Sequence, residues 1–176
     1  KVNSAQRFAP GRDIKGMGGK IEKKTMSAEE RIADLQQRQR ALTGVLATLP
    51  KPTIAALPGP AVVAGLAIAL ACDIRIAATS AFLSTGYRHV AVSGDYGISW
   101  LMTRLVGTAR ARQLMFTGER IDAHRCECIG LVNQVVPDGE LQTAAQTMAK
   151  SFADGPRTAL KLMKENLDRA IQTDFL

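Results

Sequence analysis

The residues best suited to chemistry by type and spacing form one run, Gly59-Pro60-Ala61-Val62-Val63-Ala64-Gly65-Leu66-Ala67-Ile68-Ala69-Leu70-Ala71-Cys72-Asp73-Ile74-Arg75-Ile76-Ala77-Ala78. Its start is small and glycine-bearing, its middle is apolar, and its end alternates through Ile74, Ile76 and Ala78. That pattern predicts a tight turn, a short buried helix and a strand. A helix opening on Ala and Gly leaves its first amides uncovered, and such a terminus suits an anion or a developing oxyanion. An Ala-rich helix packed into a core is the other reading of the same residues. Side-chain chemistry elsewhere is sparse. His89 and His124 are the only histidines; His89 is a candidate pocket residue and His124 falls on the polar side of a helix. Ser93 and Ser99 lie near His89 without the nucleophile-elbow pattern of a hydrolase. Cys126-Glu127-Cys128 with His124 falls short of four zinc ligands, so no metal site is expected there.

Several elements must position that run. Ser27 and Glu30 have capping-box spacing, and Ile32, Leu35, Leu42, Leu46 and Leu49 follow at helical period. They predict a long amphipathic helix stopped by Pro50 and Pro52. Short strands are expected over 53–57, 74–77, 81–83 and 131–136, and helices over 97–105, 109–116, 123–129, 140–152 and 157–170. Asp122 is read as the cap of the 123–129 helix and Gly130 as its stop. Residues 15–19, Lys-Gly-Met-Gly-Gly, read as a linker, and Trp100 as a core aromatic. Strands separated by helices indicate an α/β fold in one domain.

The run at 59–73 resembles the enoyl-CoA hydratase/isomerase (crotonase) family, whose pattern here is G-x-A-x-G-G-G-x-E-x-A-x-x-C-D. Phe8-Ala9-Pro10-Gly11-Arg12-Asp13-Ile14 resembles the family's F-x-A-G-x-D-[IL] turn. Arg104-Leu105-Val106-Gly107, Thr117-Gly118-Glu119-Arg120-Ile121 and residues 130–137 (Gly-Leu-Val-Asn-Gln-Val-Val-Pro) follow in family order. The resemblance covers residues 7 to 165. It implies a crotonase-like spiral of strands and helices, truncated at both ends, with its C-terminal helices from about residue 140. It also implies an oxyanion hole from the backbone amides of Arg12 and Ala64, although Val63 and Ala64 replace two family glycines. The two glutamates of the hydratases fall on Ala67 and Tyr87, so neither carboxylate is kept. Asp95 lies where some family isomerases carry an aspartate and is the candidate base; capping the following helix is its alternative role. Tyr87 would orient substrate or pack at the pocket wall.

An acyl-CoA thioester is therefore the implied substrate, isomerisation of an enoyl-CoA the favoured reaction, and coenzyme A enters only as part of the substrate, with no separate cofactor. Hydration by an atypical acid/base set and a non-catalytic binding protein remain the alternatives. A homotrimer or hexamer is implied. The chain has 176 residues, 46% of them hydrophobic and 22% charged, which suits a globular domain with a sizeable core. Its net charge of +7 suits a phosphate-bearing substrate. One Trp, two Tyr and five Phe provide little for base stacking, and the lysines near position 20 are interleaved with glutamates, so no nucleic-acid partner is expected. Three cysteines make no disulfide framework, and no long uncharged apolar run predicts a membrane span. A cytoplasmic location is the expectation, with the true N-terminus taken to be missing.

Overall fold

The computed structural model describes residues 26–172. The Phe8–Ile14 turn, Arg12 and the 15–19 linker thus lie outside the described residues. Helix α1 (Ala28–Gln39) starts as its sequence requires: the Glu30 amide donates to Ser27 Oγ at 3.1 Å and the Ser27 amide to Glu30 Oε2 at 2.7 Å. The helix runs on through a π turn (Arg40–Gly44) into α2 (Val45–Thr48) before Pro50. Its apolar stripe is not buried. Ile32 and Leu35 are each more than half exposed, and α1 contributes no buried residue among the described ones.

Two small sheets carry the remainder. Strands β1 (Ile54–Leu57), β3 (Ile74–Ala78) and β6 (Gln134–Val136) form a parallel sheet in the order β1-β3-β6, with Ile54 opposite Ile74 and Ile76 opposite Gln134. Strands β2 (Ala61–Val62), β4 (Phe82–Ser84) and β5 (Ile121–Asp122) form the second, with β4 parallel to β2 and antiparallel to β5. Helix α3 (Ala64–Leu70) crosses from β2 to β3 and is almost wholly buried, which its small side chains permit. Helix α4 (Ile98–Thr117) breaks at Gly107, whose φ of 75° and ψ of 165° no side chain readily adopts. The two helices expected over 97–105 and 109–116 are its two arms. Helix α5 (Ala123–Cys128) takes its cap from Asp122, which accepts the Arg125 amide at 2.8 Å. Helices α6 (Leu141–Ala153) and α7 (Arg157–Ala170) close the described chain. Strands β2 and β5, two residues each, were too short to register as a period in sequence.

One core cluster joins α3, β4, Tyr87 and α4. Polar groups tie the edges to it. Lys164 of α7, 8% exposed, pairs with Asp73 at 2.8 Å, and Asp73 also accepts the Thr53 amide at 2.7 Å. Arg75 on β3 is 3% exposed and holds the turn before β6: its Nε donates to the Leu131 carbonyl at 2.6 Å and its Nη1 to Cys72 at 2.7 Å. The α/β fold anticipated from the alternation of elements is the one observed. Among the described residues no helix is long and apolar enough to cross a membrane.

Candidate active site

The site forms where the start of α3 abuts the segment between β4 and α4. Val63, the residue before α3, has φ 53° and ψ −124°, a conformation costly for a β-branched side chain. It is held there by its amide, which donates to the Ser84 carbonyl at 3.2 Å. The reversal turns the next amide, that of Ala64, out of the strand. It is one of the first-turn donors without an intrahelical acceptor, and it makes no hydrogen bond among the described residues. Across from it is Gly86: a Cβ there would come within 3.1 Å of Val63 Cγ2, so the two segments touch. Gly86 at φ 64° is where glycine is needed for both space and conformation.

Gly86 leads into a 3-10 turn (Tyr87–Val90) that drives Tyr87 into the core, where it is 1% exposed. Its hydroxyl donates to Asp95 Oδ1 at 2.6 Å. Burial first, and then this bond to a carboxylate, push the Tyr87 phenol far above its ordinary value, so it stays protonated and a donor at neutral pH. The second oxygen of the half-buried Asp95 has no hydrogen-bond partner among the described residues. Asp95 does not cap α4 with its side chain: the cap residue is Gly97, without a side-chain bond, and only the Asp95 backbone carbonyl accepts the Ile98 amide, at 3.1 Å. The side-chain cap that the sequence left open to Asp95 is not formed.

The loop bearing Asp95 is unusual in its backbone. Gly94, Tyr96 and Gly97 all have positive φ, at 115°, 50° and 75°. A cleft of about 140 Å³ lies beside it, lined by Thr43, Ala47, Tyr96, Trp100 and others. Trp100 is not a core aromatic: it is 47% exposed, and the Arg104 guanidinium stacks 3.7 Å from its ring centroid. One helical turn separates the two, so the stacking is local and needs no core. A larger groove of about 700 Å³, between the Pro50-Lys51-Pro52 turn and α6–α7, is lined by neither Asp95, Tyr87 nor Ala64.

The other sequence candidates fall elsewhere. His89 is exposed, and its Nε2–H donates to the Gly118 carbonyl at 3.2 Å, at the end of α4. The structure therefore sets it against a helix terminus and not against Asp95. His124 is exposed. Ala67 is fully buried in α3 and brings no titratable group to the site. Cys126 is buried while Cys128 is exposed, and among the described residues no three His, Cys, Asp or Glu side chains gather as metal ligands. Burial above all raises the Cys126 thiol to about 12. A pulse of iodoacetamide at pH 8 should therefore alkylate Cys128 quickly and Cys126 only after unfolding, as read by peptide mass; fast labelling of Cys126 in native protein would contradict this packing. Sequence reasoning missed the positive φ of Val63 and Tyr96 and the part of Thr43 in the cleft; only the two glycines flanking Asp95 hinted at a special loop.

Comparison with known proteins places the whole chain. The family profile for enoyl-CoA hydratase/isomerase matches residues 3–175. A probable enoyl-CoA hydratase of Mycobacterium tuberculosis is 34% identical over 167 residues, which are 94% of this chain and 59% of that protein. Among solved structures, an enoyl-CoA hydratase from Bacillus anthracis superposes with a TM-score of 0.78 at 35% identity, covering 85% of this chain and 58% of that one. A monofunctional enoyl-CoA isomerase from M. smegmatis gives 0.71 at 36% identity, covering 78% and 65%. The chain thus spans somewhat more than half the length of these relatives.

Proposed function

The chain belongs to the enoyl-CoA hydratase/isomerase family, and from that premise we propose that it shifts the double bond of an enoyl-CoA thioester, with Asp95 carrying the proton. The observation that supports this reading is the 2.6 Å bond from Tyr87 to Asp95, which fixes one carboxylate oxygen and leaves the other without a hydrogen-bond partner among the described residues. The Ala64 amide, and by family resemblance that of Arg12, would polarise the thioester carbonyl.

In this mechanism the Asp95 carboxylate takes a proton from C2 of a 3-enoyl thioester. The C–H electron pair becomes the C1–C2 double bond, and the carbonyl pair moves onto oxygen as a dienolate held by the amides. When the carbonyl re-forms, the electrons shift along the chain and C4 takes the proton back from Asp95, giving the 2-enoyl thioester. No water is consumed and no redox partner is needed. Tyr87, kept protonated by its burial, orients the carboxylate through one oxygen, so that the other takes the proton at C2 and returns it at C4.

Hydration is the second reading, favoured by the names of relatives such as the short-chain-enoyl-CoA hydratase of Clostridium acetobutylicum. It would require groups to activate water and protonate carbon, and Ala67 supplies neither. A homotrimeric or hexameric assembly of the whole protein belongs to this proposal, as does an acyl-CoA substrate without further cofactor. The test is product analysis: full-length protein is incubated with 2-enoyl- and 3-enoyl-CoA thioesters, and products are read by mass and double-bond position. Migration without a mass gain of one water supports isomerisation. A gain of water on the 2-enoyl substrate favours hydration, and no change with either leaves only a binding role.

A further inference from the structure

The proton shuttle depends on a loop whose backbone does not hold its shape unaided. Tyr96, directly after Asp95, sits at φ 50°, where a residue with a side chain is strained. Such a conformation persists only where its surroundings over-determine it. Three contacts meet there. Tyr87 donates to the Asp95 side chain from the 3-10 turn at 2.6 Å. Gln39 packs against Gly97, its Nε2 3.3 Å from where a Cβ would stand. Thr43 Oγ1 donates to the Tyr96 carbonyl at 2.9 Å, across 53 residues of sequence.

Thr43 is 4% exposed and lies in the π turn Arg40–Gly44. A π turn inserts a residue into a helix, which re-aims the side chains after it by about 100° relative to an unbroken α-helix. Such insertions are common at functional sites. The Thr43 hydroxyl has one proton and two carbonyls in reach, Gln39 at 3.2 Å within its own helix and Tyr96 at 2.9 Å. The shorter contact is the long-range one. Threonine in a helix ordinarily bonds back to its own preceding turn, so this hydroxyl has been turned toward the loop.

We propose that Thr43 is a positioning residue for Asp95: its hydroxyl, presented by the π turn, holds the Tyr96 carbonyl and so keeps the Asp95 carboxylate where Tyr87 meets it. The inference rests on the proposed role of Asp95. Without the Thr43 bond, Tyr96 relaxes toward negative φ and carries Asp95 away from its partner.

Two variants of the full-length protein separate this from simple packing. Thr43→Val keeps the shape and removes the hydroxyl; Thr43→Ser keeps the hydroxyl and removes a methyl. Turnover of a 3-enoyl-CoA thioester is measured with hydrogen exchange at the Ile98 amide, which is bonded to the Asp95 carbonyl. Thr43→Val should lower kcat by about 10–100-fold, in line with the effect of misplacing a catalytic group by an ångström, with KM little changed. It should also speed exchange at Ile98, while Thr43→Ser stays close to the parent in both. Equal turnover and exchange in Thr43→Val and the parent would overturn the proposal. So would a loss in Thr43→Ser as large as in Thr43→Val, since the methyl would then be the part that matters. Asp95→Asn, assayed alongside, distinguishes the two levels. If it retains full turnover the catalytic reading fails, while the exchange at Ile98 still decides whether Thr43 holds the loop.

Discussion

Replacing Asp95 by Asn should lower turnover of a 3-enoyl-CoA thioester by about 10²–10⁴-fold, the usual loss with a general base. Asparagine preserves the size of the side chain and can still accept the Tyr87 hydroxyl through its amide oxygen, so the loop should keep its shape. What it cannot do is take a proton from C2 and return one to C4. The loss should therefore appear in kcat with KM nearly constant, because the contacts that bind the thioester are untouched. Tyr87 cannot substitute: burial, the main cause of its raised pKa, persists without the carboxylate and keeps the phenol protonated, so it has no vacancy for a substrate proton. Unchanged kcat in Asp95→Asn, on a substrate that the parent isomerises, would remove Asp95 from the chemistry.

The second large effect concerns stability, at Arg75. Arg75 is 3% exposed, and its guanidinium meets oxygens from three residues: the Leu131 carbonyl, the Cys72 carbonyl and, at 3.3 Å, Asn133 Oδ1. No salt bridge to it forms among the described residues. Burial, the main influence, draws its pKa below the ordinary arginine value, partly opposed by Cys72 and Asp73. The cation is thus tolerated because carbonyl dipoles surround it. Arg75→Met would bury a similar stem but strand the Leu131 and Cys72 carbonyls, each costing about 1–3 kcal/mol when left unpaired. The expected total is about 2–6 kcal/mol, the sum for the two stranded carbonyls. With a urea slope of about 2 kcal/mol/M, the unfolding midpoint should fall by on the order of 2 M. A change under about 1 kcal/mol would show that water or a shifted backbone satisfies those carbonyls.

Arg75 and Asp95 mark the line between what can be read along the chain and what cannot. The Ser27/Glu30 box, the Asp122 cap and the stop at Pro50 were legible because each depends on atoms a few residues away. The helical and strand periods of α3, β3, α6 and α7 were legible for the same reason. The family motifs added which positions to look at, since by resemblance Ala64 and Asp95 stand where the family carries its oxyanion amide and an isomerase aspartate. The sequence alone does not indicate that Arg75, in the middle of an alternating strand, is inward-facing and satisfied by a carbonyl 56 residues later together with one three residues earlier. Nor does it show that the Asp95 side chain leaves the helix uncapped and accepts the Tyr87 hydroxyl instead. That bond follows from a 3-10 turn and a run of left-handed residues, which bring two side chains eight positions apart to 2.6 Å. The apolar stripe of α1 shows the same limit: periodicity says which residues share a face, while only packing decides whether that face is covered. Short-range capping and period determined the elements of this protein. Which polar groups meet was decided by tertiary structure, because such bonds join segments whose separation in sequence carries no local signal.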